Sequence, residues 1–240
     1  MIARLLTVIT TPERFFVDIG AGDGISNSNT YALARSGWPG LSIECAGPSF
    51  AALAGAYQAL PQVQLARVNL TPDTAVGVLT AADVPESFAL LSLDIDGYDH
   101  FVLDALLDRY RPAVACVEIN EKIPPPVKFT VLYRAEYPGP RGHFYGQSIS
   151  QLELLTARHR YDIIGLEYNN AFIVPSELNT APALTADEAY RAGYRHRPDR
   201  LIRFPWNQDM DPLLELPPSE ALAAINARFA AYHGEYLCEL

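Results

Sequence analysis

Residues 15–24 read FFVDIGAGDG, and this stretch indicates the fold more strongly than any other part of the chain. A short apolar run leads into Asp18, and glycines then occupy alternate positions: Gly20, Gly22 and Gly24. Glycine has no Cβ atom, so the backbone can turn sharply and a ligand can lie against it. We predict a buried strand over 15–19, followed by a glycine-rich turn.

The segment after the turn predicts a helix over 26–36, with Ser26 and Asn27 as candidate caps. A strand, a glycine turn and a helix N-terminus together form a nucleotide or nucleoside pocket. The spacing here is G-x-G-x-G, whereas the dinucleotide fingerprint is G-x-G-x-x-G. An ordinary tight turn without a ligand and a site for another nucleotide such as NAD are the two alternatives.

Glu44 ends the next short apolar run, 41–44, and follows Gly24 by 20 residues. A carboxylate at the end of a second strand can accept hydrogen bonds from both hydroxyls of a ribose. The alternative is that Glu44 is a solvated loop residue that binds no ligand. Many nucleotide cofactors carry a ribose, so Glu44 does not indicate which of these cofactors is bound.

The composition of the chain limits its fold class, location and partners. The chain has 240 residues, 49 % of them hydrophobic and 19 % charged, which is typical of one large globular α/β domain. No apolar run reaches the ~18–20 residues that span a bilayer, so we expect no membrane span. Three widely spaced cysteines form no metal or disulfide pattern, so a reducing cytoplasm is the expected location. The net charge of −10 argues against nucleic acid and favours a small-molecule partner.

Strand and helix patterns alternate along the first half of the chain. Strands are predicted over 15–19, 41–44, 63–69, 88–94 and 113–119, and a hairpin over 162–167 and 170–175. This order predicts an α/β fold with a doubly wound, seven-stranded, mostly parallel sheet. We expect one domain over 1–175, with a proline-rich lid at 121–146, and an extension over 176–240 packed on the same domain. A homodimer is one assembly that the sequence allows.

Acidic residues cluster at the ends of the fourth and fifth predicted strands. Residues 94–100 read DIDGYDH, and 118–120 read EIN. Ligands of doubly wound sheets bind outside the carboxyl ends of the strands, so both segments should face one crevice. Oxygen ligands suit Mg²⁺ or Ca²⁺, and a plausible set is Asp96, Glu118 and Asn120, with Asp94 as a further ligand or a neighbour of one.

Catalytic roles are expected in the same cluster. A divalent ion held by Asp96 would lower the pKa of an acceptor hydroxyl, and Asp99 or His100 would remove the proton as general base. The alternatives are structural. Asp99 could cap the helix that starts there, and His100 could be a partly buried structural residue.

Four segments carry a resemblance to a known family. They are VDIGAGDG, GLSIE, LLSLDIDGYDHFVLDAL and ACVEIN, and together they resemble the FkbM-like branch of the class I methyltransferases that use S-adenosyl-L-methionine (SAM). That branch looks like small-molecule and sugar O-methyltransferases, and the resemblance covers about 15–175. It implies that SAM is held by the following residues: Asp18, Gly20, Gly22, Gly24, Glu44, Asn69 and Asp94.

The sequence therefore predicts a SAM-dependent O-methyltransferase of a small-molecule acceptor, a sugar or natural product, with or without Mg²⁺. Five aromatic residues of the lid region are candidates for acceptor contact: Phe129, Tyr133, Tyr137, Phe144 and Tyr145. His143 and Gln147 are candidates for hydrogen bonds to it. An NAD-dependent oxidoreductase or epimerase and a non-catalytic methyltransferase-like subunit are the alternatives.

Overall fold

The structure is a computed structural model that describes residues 1–9, 13–136 and 139–240. Its strands are β1 (Phe16–Ile19), β2 (Gly40–Ile43), β3 (Val63–Ala66), β4 (Leu90–Leu93), β5 (Val114–Glu118), β6 (Lys128–Val131), β7 (Tyr161–Glu167), β8 (Asn170–Pro175) and β9 (Tyr236–Glu239). Seven of them form one sheet in the order β3-β2-β1-β4-β5-β8-β7. β1 to β5 pair in parallel, and β7 pairs with β8 antiparallel. The predicted α/β class with a seven-stranded, mostly parallel sheet is confirmed.

Nine α-helices lie in the described residues, and the first five of them alternate with the first five strands. They are α1 (Ile2–Val8), α2 (Tyr31–Arg35), α3 (Gly47–Ala56), α4 (Pro72–Ala81), α5 (Asp99–Leu107), α6 (Ile149–His159), α7 (Ala186–Tyr190), α8 (Arg200–Arg203) and α9 (Pro218–Arg228). None of them is long and apolar enough to cross a membrane. The predicted start of the helix over 26–36 is wrong, because α2 begins only at Tyr31. The predicted third strand is also shorter than expected, since β3 ends at Ala66.

The chain divides into two compact units. The first comprises Met1–Ile95 and Val102–Val117, and the second comprises Asp96–Phe101 and Glu118–Leu240. In the first unit β1, β2 and β4 are buried along their whole length, including their polar residues Asp18, Ser42 and Ser92. The domain boundary expected at 175 stays a prediction.

The second unit gives part of the lid segment regular structure. β6 lies inside 121–146 and pairs antiparallel with β9, more than 100 residues later in the sequence. Phe129 of β6 is fully buried, and its ring packs against those of Phe144, Phe229 and Tyr236. This aromatic cluster packs against β6, so part of the proline-rich segment is a regular strand. Tyr137 and Pro138 lie outside the described residues, and the function of the segment as a lid stays a prediction.

Candidate functional site

The glycine loop, residues 20–24, follows β1, and two of its glycines are required by the fold itself. A Cβ atom on Gly20 would lie 1.6 Å from the carbonyl oxygen of Asp94. A Cβ atom on Gly24 would lie 2.5 Å from Cδ1 of Leu53. The clash at Gly20 is with backbone, so this position excludes a side chain without reference to a ligand. At Gly24 the Leu53 side chain would have to move, and the φ of +79° adds strain for any residue with a Cβ atom.

Gly22 differs from its two neighbours in the loop. Its φ is +56°, and among the described residues no atom lies within 4 Å of the position of a Cβ atom. The bare backbone at Gly22 therefore borders open space. This is the place in the loop where a ligand can approach the main chain closely.

Glu44 connects the glycine loop to the beginning of α3. Its Oε2 accepts a hydrogen bond from the N–H of Gly22 at 2.9 Å, and its Oε1 accepts one from the N–H of Ala46 at 2.6 Å. The side chain is 8 % exposed. An ionised carboxylate has about four acceptor positions, so these two bonds leave capacity for ribose hydroxyls. Glu44 therefore holds the loop and can still bind a ligand.

The conformation of Asn27 explains why the predicted helix does not start at residue 26. Asn27 has a φ of +55°, and a right-handed helix does not run through a residue with a positive φ. The carboxylate of Asp23 accepts hydrogen bonds from the Ser26 hydroxyl at 2.7 Å and from the N–H groups of Ile25 and Ser26 at 2.9 and 2.7 Å. These bonds, that of the Ser26 hydroxyl most, lower the pKa of Asp23. Ser26 and Asn27 are therefore not helix caps, and no helix N-terminus follows the loop directly.

Asp18 lies in the middle of β1 and faces the interior. It pairs in register with Ser42 of β2 and Ser92 of β4, and its Oδ2 accepts a hydrogen bond from the Thr30 hydroxyl at 2.5 Å. Burial raises the pKa of Asp18 to about 6, against the smaller opposing effects of its hydrogen bonds to Thr30 and Ser92. Thr30 immediately precedes α2, so Asp18 anchors the start of that helix. Its predicted contact with SAM stays a prediction.

The remaining two residues predicted to hold SAM lie at strand ends of the first unit. Asp94 follows β4 directly, and its N–H donates to the carbonyl of Ile19 at 3.0 Å. Asn69 lies exposed on the loop after β3. Both positions follow the carboxyl ends of parallel strands, where ligands of doubly wound sheets bind. Their contacts with a cofactor stay predictions.

In the second unit, residues 96–100 of the DIDGYDH segment hold polar side chains in different environments. Asp96 is exposed and has a φ of +54°. Asp99 is fully buried at the start of α5, where its Oδ2 accepts a hydrogen bond from the N–H of Gly97 at 2.9 Å. Desolvation raises the pKa of Asp96, and the positive charge of Lys122 acts in the opposite direction.

His100 lies against the beginning of α6. Its Nδ1 is 3.0 Å from Oε1 of Gln147, and its Nε2 is 3.4 Å from Nε2 of Gln151. Gln147, a candidate for binding the acceptor, is fully buried. Both residues therefore take part in packing of the second unit. For His100 this agrees with the alternative that it is a partly buried structural residue.

The predicted metal ligands of the second unit lie in different surroundings. Carboxylate oxygens of Asp96 and Glu118 come within 4.8 Å of each other. Oε1 of Glu118 accepts a hydrogen bond from the Asn169 amide at 2.9 Å. The Asn120 amide donates to the carbonyls of His143 and Tyr145 at 2.8 and 2.9 Å, while its Oδ1 is buried without a hydrogen-bond partner among the described residues. These oxygen atoms are of the type that Mg²⁺ prefers.

Asp96 and Glu118 also line a cavity of about 350 Å³, which we call the acidic cavity. Other lining residues are Glu121, Lys122, Tyr145, Asn169, Phe204 and Trp206. Sequence analysis singled out Tyr145 but missed Glu121, Lys122 and Trp206. The only sequence signal for the first two is a charged pair directly after the EIN segment.

A buried hydrogen-bond network forms one side of the acidic cavity. The Lys122 ammonium donates to the Tyr145 hydroxyl at 2.6 Å and to Oε1 of Glu121 at 3.3 Å. The Tyr145 hydroxyl in turn donates to Oε2 of Glu121 at 3.1 Å, and the Asn207 amide donates to Oε1. Burial and the neighbouring carboxylates raise the pKa of Tyr145 well above its usual value. Tyr145 therefore stays a neutral phenol, and the charges of Glu121 and Lys122 compensate each other.

The other lid-region candidates have different contacts. Phe129 and Phe144 belong to the aromatic cluster beneath β6 and β9. Tyr133 packs edge-on against Tyr98, with ring centroids 4.9 Å apart. His143 pairs with Asp209 at 3.0 Å, and burial lowers its pKa. Of the described candidates, Tyr145 is the one that lines the acidic cavity.

No protein-family model and no curated protein matches the chain. Among solved structures, the chain is similar to an O-methyltransferase from Bacillus cereus in complex with S-adenosylhomocysteine, with 19 % identity, coverage of 67 % of this chain and 72 % of that one, and a TM-score of 0.45. It is also similar to a precorrin-6y C5,15-methyltransferase from Geobacter metallireducens, with 12 % identity, coverage of 72 % and 84 %, and a TM-score of 0.41. Both TM-scores are below 0.5, so we base no argument on these likenesses.

Proposed function

We propose that this chain is a SAM-dependent methyltransferase that methylates an oxygen atom of a small-molecule acceptor. The observation that carries the proposal is the pairing of Gly22 with Glu44 in the first unit. A carboxylate beyond the end of β2 suits the two hydroxyls of a ribose, and the open space at Gly22 suits close approach of the rest of the cofactor. The sequence resemblance supports the same cofactor and favours the FkbM-like branch.

The NAD-dependent alternative has less support. A dinucleotide presents a pyrophosphate, which binds to backbone N–H groups at a helix N-terminus after the glycine loop. Here the N–H groups of Ile25 and Ser26 are used by the carboxylate of Asp23, and α2 starts only at Tyr31. The negative charge of Asp23 would also repel a phosphate. SAM carries no phosphate and needs no such groups.

The proposed reaction is a direct transfer of a methyl group. The acceptor oxygen attacks the methyl carbon of the sulfonium, the S–C bond breaks as the O–C bond forms, and the proton of the acceptor hydroxyl passes to a general base. S-adenosylhomocysteine, with a neutral sulfur, is the second product. We assign the base to Asp96, because its carboxylate is exposed and has a raised pKa. Asp99 and His100 are the weaker candidates, because both are held by internal contacts.

A second form of the proposal includes Mg²⁺, and in it Asp96 is a ligand of the metal and not the general base. Asp96 and Glu118 would hold it, since their carboxylate oxygens lie close together. The buried Oδ1 of Asn120 is a further acceptor in the same unit. A bound Mg²⁺ would lower the pKa of an acceptor hydroxyl.

Our proposals for the acceptor class and for the location of the protein are based on its composition. The net charge of −10 argues against a nucleic-acid substrate, and a sugar or natural product is the acceptor class we favour. A cytoplasmic homodimer is our proposal for location and assembly.

The glycine loop offers a matched pair of variants for testing cofactor binding. Gly22 and Gly37 both have positive φ angles, +56° and +87°, and neither has an atom within 4 Å of its Cβ position among the described residues. Gly37 lies before β2, however, at the opposite end of the parallel strands from the glycine loop. Valine at either site imposes a similar backbone strain, but only at Gly22 would it occupy cofactor space.

We expect Gly22→Val to abolish binding of S-adenosylhomocysteine in calorimetric titration, whereas Gly37→Val binds it like the wild type. Thermal unfolding of both variants controls for loss of the fold. Equal affinities in the two variants would contradict the assignment of the glycine loop as the cofactor site.

A further inference from the structure

One short segment of the second unit exposes large apolar side chains to solvent. Ile202 is 82 % exposed and Trp206 is 61 % exposed, and no other large hydrophobic side chain of the described residues is as exposed. Pro205 lies between them and is also exposed. We call residues 202–206, which read IRFPW, the IRFPW segment. Exposed apolar side chains that lie close together mark a surface that binds a partner.

The surrounding contacts hold the IRFPW segment in place. The ring of Phe204 packs against those of Tyr168 and Trp206, with centroids 5.7 and 5.6 Å away. Directly after the segment, Asn207 is 1 % exposed, and its amide donates to the Tyr194 hydroxyl at 3.1 Å. The exposure of the apolar side chains is therefore a property of the folded unit.

Two arginines give this surface positive charge. The guanidinium carbons of Arg197 and Arg203 lie 5.0 and 4.6 Å from the centre of the Tyr168 ring. In the part of the chain that the structure describes, neither arginine forms an ion pair, whereas Arg200 is paired with Asp211 at 2.9 Å. Arg203 is exposed, so its charge is accessible to a partner.

Asp199 offsets one of these two charges. Its carboxylate accepts a hydrogen bond from the Tyr168 hydroxyl at 2.6 Å. This bond and, more weakly, the charges of Arg197 and Arg203 lower the pKa of Asp199, so it is ionised at neutral pH. The two arginines and Asp199 together carry one positive charge, in a chain whose net charge is −10. The surface of the segment is therefore apolar and locally cationic.

We propose that the IRFPW segment binds the surface of an anionic lipid membrane, with Ile202 and Trp206 in the interfacial layer and Arg203 at the lipid phosphates. Tryptophan favours the interface between hydrocarbon and water, and the arginine fork matches phosphate oxygens. Peripheral binding of this type combines the burial of apolar area with attraction to anionic lipid, and it needs no membrane-spanning helix.

Two other partners fit the IRFPW segment less well. A nucleic acid presents phosphates but offers no hydrocarbon layer to Ile202. A second copy of the chain in a twofold contact would present the same patch from both sides, so the arginines of one copy would face those of the other. An anionic membrane satisfies the apolar side chains and the positive charge together.

Trp206 gives a direct assay of this binding. Trp38 lies in the first unit, and Trp38→Phe leaves Trp206 as the only tryptophan of the chain. The emission of this variant is titrated with vesicles of phosphatidylcholine alone and with vesicles of phosphatidylcholine and phosphatidylglycerol in equal parts. Flotation of the wild-type chain with the same vesicles gives the comparison for the unmodified protein. No SAM is added, so the result is independent of the proposed function.

We expect a saturable blue shift with the anionic vesicles, and an affinity for the neutral vesicles that is lower by about fivefold or more. Flotation of the wild-type chain should give the same order. Absence of the blue shift, with or without flotation, or equal affinity for the two compositions would overturn the proposal.

Matched variants test the segment itself by flotation. Ile202→Ser should lower the affinity for the anionic vesicles by about tenfold, whereas Leu237→Ser, which changes a 51 % exposed side chain of β9, should leave it unchanged. Arg203→Gln should lower it by about fivefold, whereas Arg134→Gln, at an exposed position after β6, should leave it unchanged. Equal effects within either pair would overturn the assignment of the binding surface.

Discussion

Asp18 makes the stability of the protein dependent on pH, because its carboxyl group is buried within the sheet. The folded protein keeps the proton on this side chain up to about pH 6, whereas an exposed aspartate releases it near 3.8. Folding is therefore favoured below about pH 4, and this contribution is lost as the pH rises from about 4 to about 6. The difference between the two pKa values corresponds to about 3 kcal/mol.

Replacement of Asp18 by asparagine removes the titration and keeps an oxygen that can accept the hydrogen bond of Thr30. We expect the free energy of unfolding of the variant, relative to the wild type, to rise by about 2 of these 3 kcal/mol between about pH 4 and about pH 6.5 and to change little above that. Urea denaturation of both proteins at four pH values across this range measures the difference. A difference that does not change with pH would refute the assignment of a raised pKa to Asp18.

Three further substitutions test other parts of the account. Glu44→Gln leaves one oxygen to accept two N–H groups, so the affinity for S-adenosylhomocysteine should fall by about tenfold or more in calorimetry; an unchanged affinity would contradict a role in cofactor binding. Asp96→Asn should abolish turnover in an acceptor screen and leave cofactor affinity unaltered; normal turnover would remove Asp96 as the base. Phe129→Ala should cost about 3–5 kcal/mol in denaturant unfolding, because the ring is fully buried in the aromatic cluster; a loss below about 1 kcal/mol would show that this cluster does not stabilise β6.

The sheet and the glycine loop were predictable from the sequence because they depend on local patterns. Short, mainly apolar runs identified β1 and β4, and the spacing of the glycines identified the turn that lies after β1. Glu44 was identified by its position directly after an apolar run. Each of these features depends on a segment of ten residues or fewer.

The start of α2 was not predictable in the same way. Helical composition favours residues 26–36, but Asn27 has a φ of +55°, which a right-handed helix does not contain. The backbone conformation of a single residue therefore overrides the propensity of the segment.

Most of the acidic cavity was not visible in the sequence because its parts are distant along the chain. Tyr145 follows Glu121 by 24 residues, and Asn207 follows it by 86. The pairing of β6 with β9 spans a comparable distance. Contacts of this kind depend on tertiary structure, and no local pattern indicates them.

The central claim is that the first unit binds SAM, and the most direct test is calorimetric titration of the purified wild-type protein in EDTA. One titration uses S-adenosylhomocysteine and the other uses NAD⁺. We predict saturable binding of S-adenosylhomocysteine at one site per chain and no binding of NAD⁺. Binding of NAD⁺ alone, or of neither ligand, would contradict the account.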